Sequence, residues 1–278
     1  MVFEDFMKQF DESLLKNLYK PDRGSHKGQN GKLLIIGGSK LFHSASIWAA
    51  EVASRIVDMV FYSSIDENNE IVKGKFQNGI VVPRKKLDHY IEDADCILIG
   101  PGLPREEGVE EGDDDTKILT ESLIKKHPSK RWVIDGGSLQ VIGPDTLPPN
   151  SIITPHHKEF EILFGTSGTE DTAFEMAKKY GITILLKGPK DIVCNINECF
   201  EIVGGNVGMT KGGTGDVLAG LVASFYCKND ALLSAASAAV INKKAAESLE
   251  KKMGTFFNAT DLANEIPIVL NTLTKNYD

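Results

Sequence analysis

The sequence predicts an α/β fold built on a mostly parallel sheet covered on both faces by helices. Short continuous apolar runs alternate with stretches of helical periodicity, and most of the runs end in glycine-rich or polar turns. No repeat, low-complexity segment or long linker divides the chain. With 278 residues, 41% hydrophobic and 25% charged, it can fill one large core, so a single domain over 1–278 is the expectation.

Phe3, Phe6, Met7, Phe10, Leu14, Leu15 and Leu18 recur at helical spacing, which predicts an amphipathic helix over 3–19 ending before Pro21. Its apolar face suits the core or a second subunit. Residues 20–31 are polar and glycine-rich, a surface loop. Lys32–Ile36 is a strand running into Gly37-Gly38-Ser39, with a helix over 45–57. Asp58 falls about where a ribose-binding acid would, but Gly37-Gly38-Ser39-Lys40 lacks Gly-x-Gly-x-x-Gly spacing, which rejects a dinucleotide dehydrogenase. Strands follow at Met59–Ser63 and 79–82, with 89–93 closing a short helix. Cys96–Ile99 reads as a fully buried parallel strand delivering Gly100-Pro101-Gly102-Leu103 to a ligand-lining turn.

Residues 105–115 are rich in carboxylates. Asp113-Asp114-Asp115 has neither the alternation nor the closing Glu of a calcium loop, so a solvated, mobile loop is expected. Strands at 132–134 and 151–153 deliver Asp135 and Thr154-Pro155-His156-His157 to the same edge, where the two histidines must point different ways. A helix over 173–180, a strand over 182–187 and a hairpin of 192–195 with 199–203 lead to three helices over 216–225, 230–249 and 258–273. The last is capped by Asn258 or Thr260.

Between hairpin and helices lies Gly204-Gly205-Asn206-Val207-Gly208-Met209-Thr210-Lys211-Gly212-Gly213-Thr214-Gly215-Asp216. Glycines allow close backbone approach to an oxyanion, and the unpaired N–H groups of a helix's first turn favour negative charge. It is not a Walker A loop, because Lys211 precedes the glycines and Asp216 ends them. A carboxylate there would repel phosphate unless it caps the helix or takes a proton from an attacking hydroxyl.

The formal charge of −8 argues against a general nucleic-acid or anionic-membrane surface, so any phosphate site must be built locally. Cys96, Cys194, Cys199 and Cys227 show no Cys-x-x-Cys pair and read as reduced thiols. No run of 18 apolar residues occurs, and Glu4 and Asp5 interrupt the start, so a cytoplasmic protein is expected.

The loop with its following Val217-Leu218-Ala219-Gly220 resembles the signature of the ADP- or ATP-dependent NAD(P)H-hydrate dehydratases, which have a ribokinase-like fold. Lys27-Gly28-x-x-Gly31, Gly37-Gly38-Ser39, Gly100-Pro101-Gly102-Leu103, Val133-Ile134-Asp135, Thr154-Pro155-His156-x-x-Glu159-Phe160 and Leu186-Lys187-Gly188 with Asp191 stand in that family's order. The resemblance covers roughly 27–270. This chain departs from the family at His43-Ser44-Ala45-Ser46, Pro104, Val207 and Asp135-Gly136-Gly137, where Gly137 replaces a second carboxylate.

The resemblance implies a three-layer α/β/α sandwich that phosphorylates the hydroxyl of hydrated NADH or NADPH and eliminates phosphate. It implies Asp216 as catalytic base. It places ADP or ATP on Lys187, Gly188, Pro189, Lys190, Asp191, Asn206, Thr210, Gly212, Gly213, Thr214 and Gly215. The hydrated cofactor would touch Ser46, Gly102, His156 and Asp216. Mg2+ is implied as cofactor, with Glu159 organising it through water or else capping the following helix. A homotetramer and a separate epimerase protein are also implied, residues 1–26 being too few for a fused epimerase domain. Two other readings share Asp216 and the loop: a small-molecule alcohol kinase of the same fold, and a nucleotide-binding regulator without chemistry.

Overall fold

The computed structural model describes residues 7–105 and 108–275. Among these residues ten strands form one sheet: β1 (Met7–Gln9), β2 (Lys32–Ile36), β3 (Met59–Ser63), β4 (Ile80–Val81), β5 (Cys96–Ile99), β6 (Arg131–Ile134), β7 (Ile152–Ile153), β8 (Thr183–Leu186), β9 (Asp191–Cys194) and β10 (Cys199–Ile202). Their order is β1-β10-β9-β8-β7-β6-β5-β2-β3-β4, and only β9 runs against the rest.

Period-two alternation sorts side chains to the two faces. Leu33, Ile35 and Leu98 enter one core, with α1 (His43–Ala53), α2 (Asp66–Lys75), α8 (Thr214–Tyr226), α9 (Ala231–Met253) and α10 (Ala259–Lys275). Leu34, Ile36, Ile97 and Trp132 enter the other, with α3 (Leu87–Asp93), α4 (Thr116–Lys126), α5 (Gly136–Leu139), α6 (His157–Phe164) and α7 (Glu170–Tyr180). The three-layer sandwich expected from the sequence is the architecture observed. Gly220 lets α8 lie directly on α1, since a Cβ there would press on Ala49.

The N-terminal segment corrects one expectation. Met7–Gln9 is an edge strand on β10 and Glu12–Asn17 a 3-10 turn capped by Asp11, in place of one helix; Phe3 and Phe6 lie outside the described residues. The apolar spacing is real, but β10 would otherwise leave its edge unpaired, and a three-residue ladder satisfies it. Leu15 and Leu18 are buried in the chain's own core, and Phe10 packs edge-on to Phe200 at 5.4 Å.

The cysteine expectation is also corrected. The β9–β10 register sets Cys194 opposite Cys199, 4.1 Å apart at Cα, and they form a disulfide; Cys96 and Cys227 are free and buried. The spacing of five gave no familiar motif, yet a tight hairpin brings such a pair face to face.

The acidic stretch is better anchored than a solvated loop. Asp113 accepts from the Lys40 and Glu110 N–H groups, Asp114 pairs with Arg84 at 2.7 Å, and Asp115 caps α4. Glu106 and Glu107 lie outside the described residues. Asp58 holds the loop before β2, accepting from the Gly28 and Asn30 N–H groups.

Candidate active site

The carboxyl ends of β2, β5, β6, β7 and β8 face the N-terminus of α8, the crevice where open α/β sheets bind ligands. Gly100, at φ +120°, passes so close to the Asp135 backbone that a Cβ could not fit. Asp135, just beyond β6, is thereby fixed at the centre. Its Oδ1 accepts from the Thr154 hydroxyl and from Lys187 Nζ, each at 2.8 Å. Lys187 also lies 3.8 Å from Glu159.

His156 and Glu159 form a capping box on α6: the Glu159 N–H donates to His156 Nδ1 at 3.1 Å, and the His156 N–H donates to Glu159 Oε2 at 2.9 Å. Because Nδ1 accepts, the neutral ring carries its proton on Nε2, which lies 3.6 Å from Glu159 Oε1 while the side chain lines the cleft. His157 turns away and contacts the Gly168 carbonyl, as two adjacent histidines must.

The glycine loop is held from behind. Asn206 caps the 3-10 turn Val207–Thr210 and donates to the Ala246 carbonyl, while Lys211 donates to the carbonyls of Thr255 and Phe257. The Thr214 hydroxyl donates to Met209 and Lys211 carbonyls. Gly213 is the N-cap of α8 in a left-handed conformation (φ +95°), with the Trp48 ring 2.5 Å from where a Cβ would lie. Asp216 is therefore the third residue of the helix rather than its cap, and the capping explanation for its carboxylate falls away.

Burial pushes the Asp216 carboxyl up to about 7, helped by the Asp135 charge; Lys187 pulls it back and Glu159 raises it further. Burial disfavours the Lys187 charge, but Asp135, Glu159 and Asp216 outweigh it and hold its pKa above the ordinary lysine value. Lys187 thus stands among three acidic side chains, with Asp216 poised to gain or lose a proton near neutrality.

The cleft has two halves that meet at His156, Lys187 and Gly215. One, of about 540 Å³, contains Gly102, Gly212, Gly213 and Asp216 beneath Phe42, Trp48 and Arg105. The other, of about 630 Å³, contains Gly188, Pro189, Asp191, Asn206, Thr210 and Thr214. Both volumes are those of small-molecule sites.

Two residues expected at the site stand apart from it. Ser46 is fully buried and hydrogen-bonded to the Tyr62 hydroxyl at 2.8 Å, and Lys190 turns outward to pair with Glu201 at 2.9 Å. Asp191 and Asn206 reach the cavity but commit their side chains to holding loops: Asp191 accepts from the Gly188 N–H, Asn206 from the Gly208 N–H. Sequence reasoning missed Phe42, Trp48 and Arg105 on one side and Asn242 and Lys243 on the other. A polar pair interrupting the apolar helix of 230–249 was the available signal for the last two. Gly137 has a steric explanation: a Cβ there would run into the Leu103 carbonyl, so this backbone excludes the second carboxylate.

Among the described residues no three His, Cys, Asp or Glu side chains converge as a metal cage. Magnesium does not require one, since it keeps several waters and binds through one or two carboxylates plus substrate phosphates. Asp135, Glu159 and Asp216, all lining the cleft, are the carboxylates that fit that mode. Glu159 faces inward with Oε1 3.2 Å from the Gln140 amide.

A family model described as NAD(P)H-hydrate dehydratase matches residues 33–268. The chain is 39% identical over 267 residues to the bifunctional NAD(P)H-hydrate repair enzyme of Methanocaldococcus jannaschii, covering 92% of this chain and 51% of that one. It thus spans about half the length of that relative. It is 33% identical to the ADP-dependent (S)-NAD(P)H-hydrate dehydratase of Cenarchaeum symbiosum, covering 99% of this chain and 98% of that one. A ribokinase-like superfamily protein of Enterococcus faecalis superposes with a TM-score of 0.86 at 23% identity, covering 99% of each chain, a likeness of fold.

Proposed function

Since the chain belongs to the NAD(P)H-hydrate dehydratase family, we propose that it restores hydrated NADH or NADPH by phosphorylating the ring hydroxyl and eliminating phosphate. ADP is the favoured phosphoryl donor, as in the name of the Cenarchaeum symbiosum relative, with ATP the alternative. The observation that carries the reading is the placement of Asp216: in the half of the cleft that holds Gly102 and Trp48, one residue from Gly215, where the two halves meet.

The nucleotide occupies the half lined by Gly188, Pro189, Asp191, Asn206, Thr210 and Thr214, its terminal phosphate reaching across the junction to the N–H groups at Gly212 to Gly215. The hydrated ring lies beneath Trp48 and Phe42, beside Gly102 and His156. The ring hydroxyl attacks the terminal phosphorus, its proton passes to Asp216, and the bond from phosphorus to the nucleotide's bridging oxygen breaks. Backbone donors hold the charge developing on the transferred group; losing one such donor typically costs about 100- to 1000-fold in rate. Lys187, held by Asp135, adds positive charge at the junction. Mg2+, bound with the nucleotide and facing Glu159 through water, would supply the remaining charge neutralisation. Electron push from the ring nitrogen then breaks the bond to phosphate, a good leaving group, and the adjacent ring carbon gives up its proton to water or the departing phosphate as the ring double bond forms.

By resemblance the protein works in the cytoplasm as a homotetramer beside a separate epimerase. Among the described residues no helix is long and apolar enough to cross a membrane. The test is to mix the protein with hydrated NADH, Mg2+ and either ADP or ATP, and follow reduced-nicotinamide absorbance together with phosphate. Recovery of both with one nucleotide is expected. A stable phosphorylated product without phosphate release would instead favour an alcohol kinase, and nucleotide binding without any turnover a regulator.

A further inference from the structure

α9 runs along the nucleotide half and presents Asn242 and Lys243 to it. Lys243 is fully accounted for. Its Nζ pairs with Asp191 at 3.3 Å and donates to the carbonyls of Gly188, Pro189 and Gly204 at 3.3, 3.1 and 3.4 Å, tying together the two loops that flank the cavity.

Asn242 is not accounted for in this way. Its side chain lines the same cavity at 2% exposure, and its buried Oδ1 has no hydrogen-bond partner among the described residues. A buried amide oxygen without a donor is costly, and a side chain at the wall of a binding cavity can turn its amide to meet a donor that the ligand brings. The phosphates carry no donor and are drawn to the Gly212 to Gly215 loop, so the donor must come from the nucleoside. Pro189, Val207, Met209 and Leu218 give the cavity apolar walls suited to a planar base. An asparagine amide matches the adenine edge in both senses: its oxygen takes an N–H of the 6-amino group while its NH2 donates to the neighbouring ring nitrogen.

We infer that Asn242 is the residue that selects adenine, by accepting a hydrogen bond from the 6-amino group of ADP or ATP. The inference rests on placing the nucleotide in this half of the cleft. It concerns recognition of the base and leaves Asp216 and the transfer step untouched.

The test is direct calorimetric binding, without hydrated cofactor, of ADP, purine riboside diphosphate (which lacks the 6-amino group) and 2′-deoxy-ADP. The wild-type protein should bind ADP about 10- to 100-fold more tightly than purine riboside diphosphate. Asn242→Leu should bind these two within about threefold of each other while keeping the wild-type ratio of ADP to 2′-deoxy-ADP. Asn242→Ala serves if the leucine variant does not fold, and the wild-type comparison needs no variant. Equal wild-type binding of the first two ligands would overturn the inference, as would discrimination that survives in the variant. A variant that instead loses discrimination against 2′-deoxy-ADP would assign Asn242 to the ribose and overturn it too. ADP binding without base discrimination would remove this inference alone; no ADP binding at all would remove the functional reading beneath it.

Discussion

The pKa of Asp216 governs how activity responds to pH. Burial and the Asp135 charge place it at about 7, against 3.8 for an ordinary aspartate. A base must be ionised to take a proton, so kcat/KM should fall below neutrality, with about one-tenth of the free protein competent at pH 6 and about nine-tenths at pH 8. Asp135→Asn removes the neighbouring carboxylate and frees Lys187 from its 2.8 Å partner. Both changes favour the ionised form of Asp216. Removing a like charge from the same pocket lowers such a pKa by on the order of one unit. The acid limb of the variant should therefore move to about pH 6. The assay is recovery of reduced-nicotinamide absorbance from pH 5 to 9 at low hydrate concentration. A wild-type limb near pH 4, or a limb unmoved in Asp135→Asn, would refute the coupling.

Asp216 also bears on stability. With its folded pKa above the unfolded value, the cost of ionising it is absent below about pH 3.8, grows as pH rises, and is complete above about 7. Asp216→Asn should accordingly raise chemical-denaturation stability at pH 8 by on the order of 2 kcal/mol or more, and much less at pH 4; equal gains would contradict the linkage. Restoring the family's carboxylate by Gly137→Asp should destabilise by more than about 2 kcal/mol, because its Cβ collides with the Leu103 carbonyl, and an unchanged melting temperature would show that the turn can yield. Thiol titration in denaturant without reductant should find two reactive cysteines, Cys96 and Cys227; finding four would dissolve the Cys194–Cys199 bond.

Much of this architecture was legible because burial on both faces writes continuous apolar runs. Lys32–Ile36, Met59–Ser63 and Cys96–Ile99 match the expected strands residue for residue. The glycine loop was legible for a different reason, since close backbone approach excludes side chains. What local pattern did not carry was long-range pairing. Met7–Gln9 reads as part of a helix until β10 offers an edge, and Cys194 and Cys199 have no motif until the hairpin register opposes them. α2 went unread because Asn68 and Asn69, polar residues, are buried there, holding the Ser39 carbonyl and the Ser64 backbone. Side-chain direction was illegible too: Ser46 and Lys190 lie at the right places in the chain, yet one points into the core and the other outward. Asp135 was visible as part of a strand-end motif, but its partnership with Lys187 depends on β6 and β8 ending side by side around β7.

The central claim is that Asp216 moves the proton in phosphoryl transfer. It is tested most directly by Asp216→Asn in paired assays of ADP binding by calorimetry and of hydrated NADH turnover at pH 8. The expected result is ADP affinity within a few-fold of wild type with turnover lost by at least about 100-fold, the lower bound for removing a positioned general base. Near-normal turnover with binding intact would contradict the assignment and the mechanism built on it.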